Sequence, residues 1–440
     1  MAKKDDSAEK IKAFLSTRSA LICDESNTSR SSIKKILAKL GCPVSKIDGV
    51  QKLSEAMTII ESSAPAVVVA DYNLGKDCGL TVFESLSQKY PDSQDRFFVL
   101  STGSASESAV AEAADEDVDC FILKPFTAKS LEDSLIDALK KKVKPSKYRV
   151  AIEKGKKELN SENSDGAKTT FEEAKALDKK PALACYYVGK ATETLDDENG
   201  IQAAIGAYQE GLAHNPIHYR SLTGLFDAQT KLDQKADSYQ TVKSLASNFP
   251  ISPKRLADVF ELAVRTKNFA DVDQFFHLYT KLENRPEDLT KRVIAGMIVC
   301  GSYLLRNGEE ERGLEAITKA INSSGKKATV IREAARALAR SDKADKAEET
   351  LMLMDPADRE TDEVKALDFY IRTRQLDTAQ WVDHGRKLIR EGLKDYDLFR
   401  LTLQGLKELG NDDKVKELLA EAKAAMPEHA DEFDTIAGGS

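Results

Sequence analysis

In the first third of the chain, charged and hydroxylic residues recur at the ends of short apolar runs. Asp24 and Glu25 follow Ala20-Leu21-Ile22-Cys23, and Asp71 follows Val67-Val68-Val69-Ala70. Thr102 comes after Phe97-Phe98-Val99-Leu100 and Ser101, and Lys124 ends Cys120-Phe121-Ile122-Leu123 and precedes Pro125. The runs are continuous rather than alternating, which is how strands covered on both faces read. In a parallel sheet the C-terminal strand ends share one edge, where doubly wound folds place their sites. Asp24, Glu25, Asp71, Thr102 and Lys124 are therefore expected to converge. Carboxylates packed together repel and raise one another's pKa, so the set is favourable only with a cation among them. Oxygen-only ligands point to Mg²⁺. With the Lys124 ammonium and the Thr102 hydroxyl, that ion would hold the oxygens of a phosphoryl group during in-line transfer. Asp71 is the expected nucleophile, forming an aspartyl phosphate.

The elements that must position these groups are legible around them. Helical patterns fall between the runs: Ile33, Ile36, Leu37 and Leu40; Val50, Leu53, Met57 and Ile60; Leu131, Leu135 and Leu139. Strand and helix taking turns predicts a five-stranded parallel sheet with right-handed crossovers. The second strand is expected within Pro43 to Ile47, the weakest of the five signals. Residues 140–149, KKKVKPSKYR, carry six positive charges and a proline. This run reads as a solvated helix end complementing the macrodipole and passing into a basic linker over residues 143–149.

Beyond the linker nearly every segment reads as helix. Small residues recur twelve positions apart in Gly224 and Ala236, Gly301 and Gly313, and Ala335 and Ala347. The anchors Ala167, Ala204 and Ala236 lie 37 and 32 apart, and Gly313 and Ala347 lie 34 apart. A bulky residue follows at plus four in Ala167-Phe171, Ala204-Tyr208, Gly313-Ile317 and Ala347-Leu351. Small residues let paired helices approach, and the bulky neighbour fills the space against the next helix, so the pattern is that of an α-solenoid. Register is poor over residues 251–290 and near Trp381, which reads as core filling.

In these residues the chain resembles two known families. Residues 17–142 resemble the receiver domain of two-component response regulators, a flavodoxin-like α/β fold. The resemblance rests on the acidic pair in LICDESNTSR, the acceptor in VVVADYNLGKDCGL with Gly79 eight residues after Asp71, the Thr-Gly of VLSTGS and the Lys-Pro of CFILKPF. It implies that Asp71 accepts a phosphoryl group from a histidine kinase or phosphotransfer protein. It also implies that Asp24, Glu25, Asp71 and the backbone carbonyl of Asn73 hold Mg²⁺, that Thr102 and Lys124 contact the phosphate, and that Phe121 is a switching aromatic. Glu25 in place of the commoner aspartate and Gly75 in place of the usual proline depart from the family pattern. Residues 150–430 resemble tetratricopeptide repeats, with room for roughly seven or eight units. That resemblance implies a groove for a protein or peptide.

Composition narrows the rest. The 440 residues exceed one comfortable core, and 65 basic against 73 acidic residues give a net charge of −8, with no general attraction to nucleic acid or an anionic membrane surface. The apolar stretch Val293 to Leu305 is too short to cross a bilayer, and the charged start MAKKDDSAEKIKAFL has no leader-like apolar segment. Both favour the cytoplasm. The six cysteines form no C-x-x-C pair and no Cys/His spacing typical of zinc sites, and read as incidental thiols in a reducing compartment. No motif marks the helical part as an enzyme. The expected function is that of a phosphoacceptor regulator whose helical part binds protein. The alternatives are a phosphorylation-independent scaffold, in which the receiver docks or forms a homodimer, and a regulator of a partner kinase.

Overall fold

The computed structural model describes residues 6–74, 77–90, 93–103, 118–194, 197–249, 251–282 and 285–438. Gly75, which stands where the resembled family usually has proline, lies outside the described residues. The chain divides into two compact units, Met1–Ile251 and Ser252–Ser440.

The first unit opens with α1 (Ser7–Ser16), ahead of the expected domain start at residue 17. Its Ile11 and Leu15 are buried in the core of the sheet domain. There follow β1 (Ala20–Cys23), α2 (Asn27–Leu40), β2 (Ile47–Val50), α3 (Leu53–Ser63), β3 (Val67–Asp71) and a short antiparallel ladder of β4 (Asn73–Leu74) with β5 (Asp77–Cys78). Next come α4 (Leu80–Lys89), β6 (Phe97–Thr102), β7 (Cys120–Leu123) and α5 (Ala128–Val143). The five-stranded sheet has the order β2-β1-β3-β6-β7, with every pairing parallel.

The continuous apolar strands arise because both faces are covered. Val67 and Val69 of β3 enter the core beneath α1, α2 and α5, whereas Val68 and Ala70 enter the core beneath α3 and α4. Each fully buried valine is worth about 1.5–3 kcal/mol. The second strand differs from expectation: residues 44–46 form a 3₁₀ turn, and the strand is Ile47–Val50. It lies at the sheet edge with Asp48 and Gly49 exposed, so the apolar signal that marks the central strands is absent. Val50 ends this strand rather than starting α3.

After α5, the basic run does not end solvated. Lys142 is buried, and the next helix begins at Lys147, inside the expected linker, with Ser146 accepting the Arg149 amide as its N-cap. The rest of the described chain is helical and built in pairs. The first unit holds Lys147–Asn160 with Ser164–Lys175, Ala182–Glu193 with Glu198–His214, and Tyr219–Lys231 with Lys235–Asn248. The second holds Pro253–Arg265 with Phe269–Lys281, Glu287–Arg306 with Glu310–Ser323, Ala328–Arg340 with Ala344–Leu351, Asp362–Arg372 with Thr378–Arg390, and Tyr396–Glu408 with Asp412–Ala425. The turn inside a pair repeatedly has a residue in the left-handed region, as at Glu162, Asp233, Lys267 and Asp342, with Gly308 and Gly410 doing the same elsewhere.

The anchors Ala167, Ala204 and Ala347 are buried, as are Phe171, Tyr208 and Leu351 four residues on. Ala236 is exposed, and the buried small residue in its helix is Ser238, 34 positions after Ala204 and followed at plus four by buried Val242. The uneven 37 and 32 spacing therefore came in part from a two-residue misregister. Trp381 is buried and packs edge-on against Phe369. Gly405 makes room for it, since a Cβ there would lie 2.2 Å from Trp381 Cη2. At this contact the large residue takes the usual small position, and the facing helix supplies the small one.

Gly301 and Gly313 bring the backbones of one pair into close approach. A Cβ on Gly301 would lie 2.8 Å from the Gly313 carbonyl oxygen, and one on Gly313 would lie 3.0 Å from the Gly301 carbonyl. Backbone cannot rotate away as a side chain can. Gly301→Leu should therefore destabilise the second unit by about 1–3 kcal/mol, despite leucine's higher helix propensity. Urea unfolding checks this, and an unchanged midpoint would contradict the close packing.

Candidate functional site

β1 and β3 are neighbours, and the chain passes to β2 on one side of β1 before returning to β3 on the other. This reversal opens a crevice at their C-terminal ends. Asp24 leaves β1 there, Asp71 ends β3, Thr102 ends β6 and Lys124 follows β7.

The Lys124 ammonium lies 2.6 Å from Asp24 Oδ2 and 2.5 Å from Asp71 Oδ2, joining residues 100 and 53 positions away in sequence. Asp24 is buried. Its Oδ1 accepts the Ser26 amide at 2.8 Å, while Ser26 Oγ in turn accepts the Ser29 amide and caps α2. Asp24 is thus both a turn residue and a site residue. Its Oδ2 has the ammonium as a charge partner without forming a hydrogen bond of good geometry.

Asp71 is partly buried and its carboxylate accepts the Asn73 backbone N–H. Burial pushes the Asp71 carboxyl above the usual carboxylate range, with the Asp24 charge adding to the rise and Lys124 and the Asn73 amide opposing it. Burial also disfavours the charged Lys124, yet its ion pairs with Asp24 and Asp71 and its hydrogen bond to Asp71 prevail and hold its pKa above the ordinary lysine value. The two shifts agree on one point: in this pair the Lys124 ammonium is better stabilised than the Asp71 carboxylate.

Gly79 explains its own place in the motif. Its N–H donates to the Tyr72 carbonyl at 2.8 Å, and a Cβ would lie 2.0 Å from the Asp71 carbonyl oxygen. Any side chain would displace the backbone carrying Asp71. Thr102 is buried at the end of β6, and its carbonyl accepts the Lys124 amide at 2.8 Å, tying the hydroxyl-bearing residue to the lysine. Phe121 is half-buried against the core that includes Phe98 and Leu100.

Glu25 and Asn73 are exposed, and the carboxylates of Asp24, Glu25 and Asp71 do not gather within 4.8 Å of one another. The structure therefore brings together Asp24, Asp71 and Lys124, with the Asn73 amide, and leaves the Glu25 side chain out. A hard divalent cation fits the oxygen donors present, because two carboxylates here share a single ammonium.

A second charged pair escaped the sequence reading. Asp119, immediately before β7, accepts the Phe98 amide through Oδ2 at 2.9 Å and the buried Lys142 ammonium through Oδ1 at 2.6 Å. Burial is the main influence on both groups, raising Asp119 and lowering Lys142 toward their neutral forms, while Arg149 of the first repeat helix helps keep Asp119 charged. A sequence signal existed, since Lys142 lies seven residues after buried Leu135 and three after buried Leu139, on the apolar face of α5.

A five-stranded parallel sheet carrying a lysine-bridged pair of aspartates at its C-terminal edge, followed by paired helices, defines a receiver domain joined to a tetratricopeptide-like repeat region. Residues 20–136 match the family model of the response regulator receiver domain, so the N-terminal domain is a signalling phosphoacceptor domain of that family. Among curated proteins, none matches the chain. Solved structures similar to it include a beryllofluoride-activated DrrB receiver domain, at 17% identity, 28% coverage of this chain, 97% of that chain and a TM-score of 0.24. Another is a tetratricopeptide repeat protein from Parabacteroides merdae, at 14% identity, 58% coverage of this chain, 97% of that chain and a TM-score of 0.28. No described helix is long and apolar enough to cross a membrane.

Removing one partner of a buried ion pair leaves an uncompensated charge, at a cost of about 3–5 kcal/mol. Lys142→Met should lower the unfolding free energy of the sheet domain by that order, and adding Asp119→Asn should recover much of it. Thermal unfolding of both variants checks this; a wild-type melt for Lys142→Met would contradict the pairing.

Proposed function

We propose that Asp71 is the phosphoacceptor of a response regulator and that the helical repeats carry its output by binding a protein partner. The observation that carries this reading is the Lys124 ammonium held between Asp24 and Asp71. An Asp71 oxygen attacks phosphorus of a phosphohistidine on a kinase or phosphotransfer protein. The P–N bond breaks, and the electron pair leaves with the imidazole nitrogen. Lys124, already beside Asp71, turns its ammonium to an incoming phosphoryl oxygen, and the Thr102 hydroxyl donates to another. Mg²⁺, held by Asp24, Asp71 and the Asn73 carbonyl with Glu25 turned inward, would supply Lewis-acid stabilisation of the phosphoryl oxygens. The surplus of carboxylate over cation at this edge supports that assignment.

The output follows from β7. Lys124 follows its C-terminal end, Phe121 lies half-buried within it, and Asp119 before it pairs with Lys142 at the end of α5 and feels Arg149 of the first repeat helix. Drawing Lys124 toward a phosphoryl group biases β7, with Phe121 as the side chain that repacks. The helical region would then present its protein-binding surface differently in the two states. The phosphate acts only through its different interactions with them.

Incubation with Mg²⁺ and a small acyl-phosphate donor should add one phosphoryl group to the wild type by intact mass and none to Asp71→Asn. Lys124→Met should slow the gain at least about tenfold, equivalent to about 1.4 kcal/mol in the barrier. Equal labelling of Asp71→Asn would remove Asp71 from the reaction. A folded wild type that no donor or kinase labels would instead support the phosphorylation-independent scaffold.

A further inference from the structure

Away from the sheet edge, one group of side chains among the described residues has the chemistry of a metal site. Cys185 lies in the helix Ala182–Glu193, while Glu210 and His214 lie one turn apart at the end of Glu198–His214. One ligand atom from each, a thiol sulfur, a carboxylate oxygen and an imidazole nitrogen, lies within 4.8 Å of the other two. We propose that Cys185, Glu210 and His214 bind a zinc-type divalent cation through three protein ligands, with water in the fourth position.

The packing explains why these groups meet although 25 residues separate Cys185 from Glu210. Gly211 lets the two helices close: a Cβ there would lie 3.3 Å from Cys185 Cβ and 3.1 Å from the Ala182 carbonyl oxygen. The close approach brings the buried thiol beneath the exposed carboxylate and imidazole of the neighbouring helix. Tetrahedral coordination with ordinary zinc bond lengths sets ligand atoms about 3.3–3.6 Å apart, so side-chain adjustment of about 1 Å closes the set. The pair Glu210 and His214 also occupies the last turn of its helix, where the carbonyl pole favours a cation. Thiolate and imidazole together select a borderline-soft ion over Mg²⁺.

Without metal, burial pushes the Cys185 thiol up to about 11, with Glu210 adding to the rise. Binding therefore exchanges the S–H bond for an S–metal bond and releases the proton to solvent. Lys175, paired to Glu210 at 2.6 Å and also to Glu172, is the positive charge the ion must compete with. Through one carboxylate oxygen Glu210 can keep Lys175 while the other takes the metal.

Co²⁺ titration of the reduced full-length protein in excess Mg²⁺ tests the assignment, because thiolate coordination gives a sulfur-to-cobalt charge-transfer band that oxygen sites do not. The expected result is a band saturating at one equivalent, bleached by Zn²⁺, lost in Cys185→Ser and shifted to at least tenfold weaker binding in His214→Ala. The exposed His214 keeps the test open should Cys185→Ser fold poorly. Absence of the band in folded wild type, or a band unchanged by His214→Ala, would overturn the proposal.

Discussion

A single ammonium between two partly or fully buried carboxylates sets the requirements for the receiver half of the chain. Lys124 can reach Asp24 and Asp71 together only if the strands bearing all three end at one sheet edge, with β1 beside β3 and the β7 end close by. That arrangement needs parallel strands, and parallel strands need helical crossovers on both faces. The demand returns to the sequence as apolar runs such as Val67 to Ala70, which feed two cores from alternate residues. Two carboxylates share that one ammonium, and burial holds the Asp71 carboxyl above its usual range. A site built this way is receptive to a further cation and to a ligand that brings its own oxygens.

The constraint extends along β7. Its C-terminal end leads to Lys124, and the residue before its start, Asp119, meets Lys142 inside the domain and lies within the electrostatic reach of Arg149 beyond it. A buried ion pair is a costly way to gain stability. Here it ties the end of α5 to the residue that precedes β7. The basic run at residues 140–149 is thus partly interior, and only its remaining charges face water.

Much of this was legible in the sequence, for physical reasons that differ by element. The central strands announce themselves because they are covered on both faces, whereas the edge strand Ile47–Val50 includes exposed Asp48 and Gly49 and overlaps the expected window of residues 43–47 only at Ile47. Asp24, Asp71, Thr102 and Lys124 could be placed because strand ends in a parallel sheet share an edge. Glu25, one residue further on, is exposed in the turn where the Asp24 carboxylate accepts the Ser26 amide and α2 starts. In the repeats, Ala236 drew attention as a small residue, but Ser238 has the buried position, because burial follows helix phase rather than residue type. Trp381 was correctly read as core, although its complement, Gly405, emerges only from the packing. The cluster of Cys185 with Glu210 and His214 had no sequence signal, because it forms only across a helix pair.

The central claim is that Asp71, held by Lys124, is the residue that takes the phosphoryl group. Borohydride reduction of the phosphorylated protein followed by peptide mass mapping tests it directly, since reduction converts an aspartyl phosphate to homoserine at the modified position. The account predicts homoserine at residue 71 and unmodified aspartate at residue 24. Homoserine at residue 24, or phosphate recovered only on hydroxyl or imidazole side chains, would contradict it.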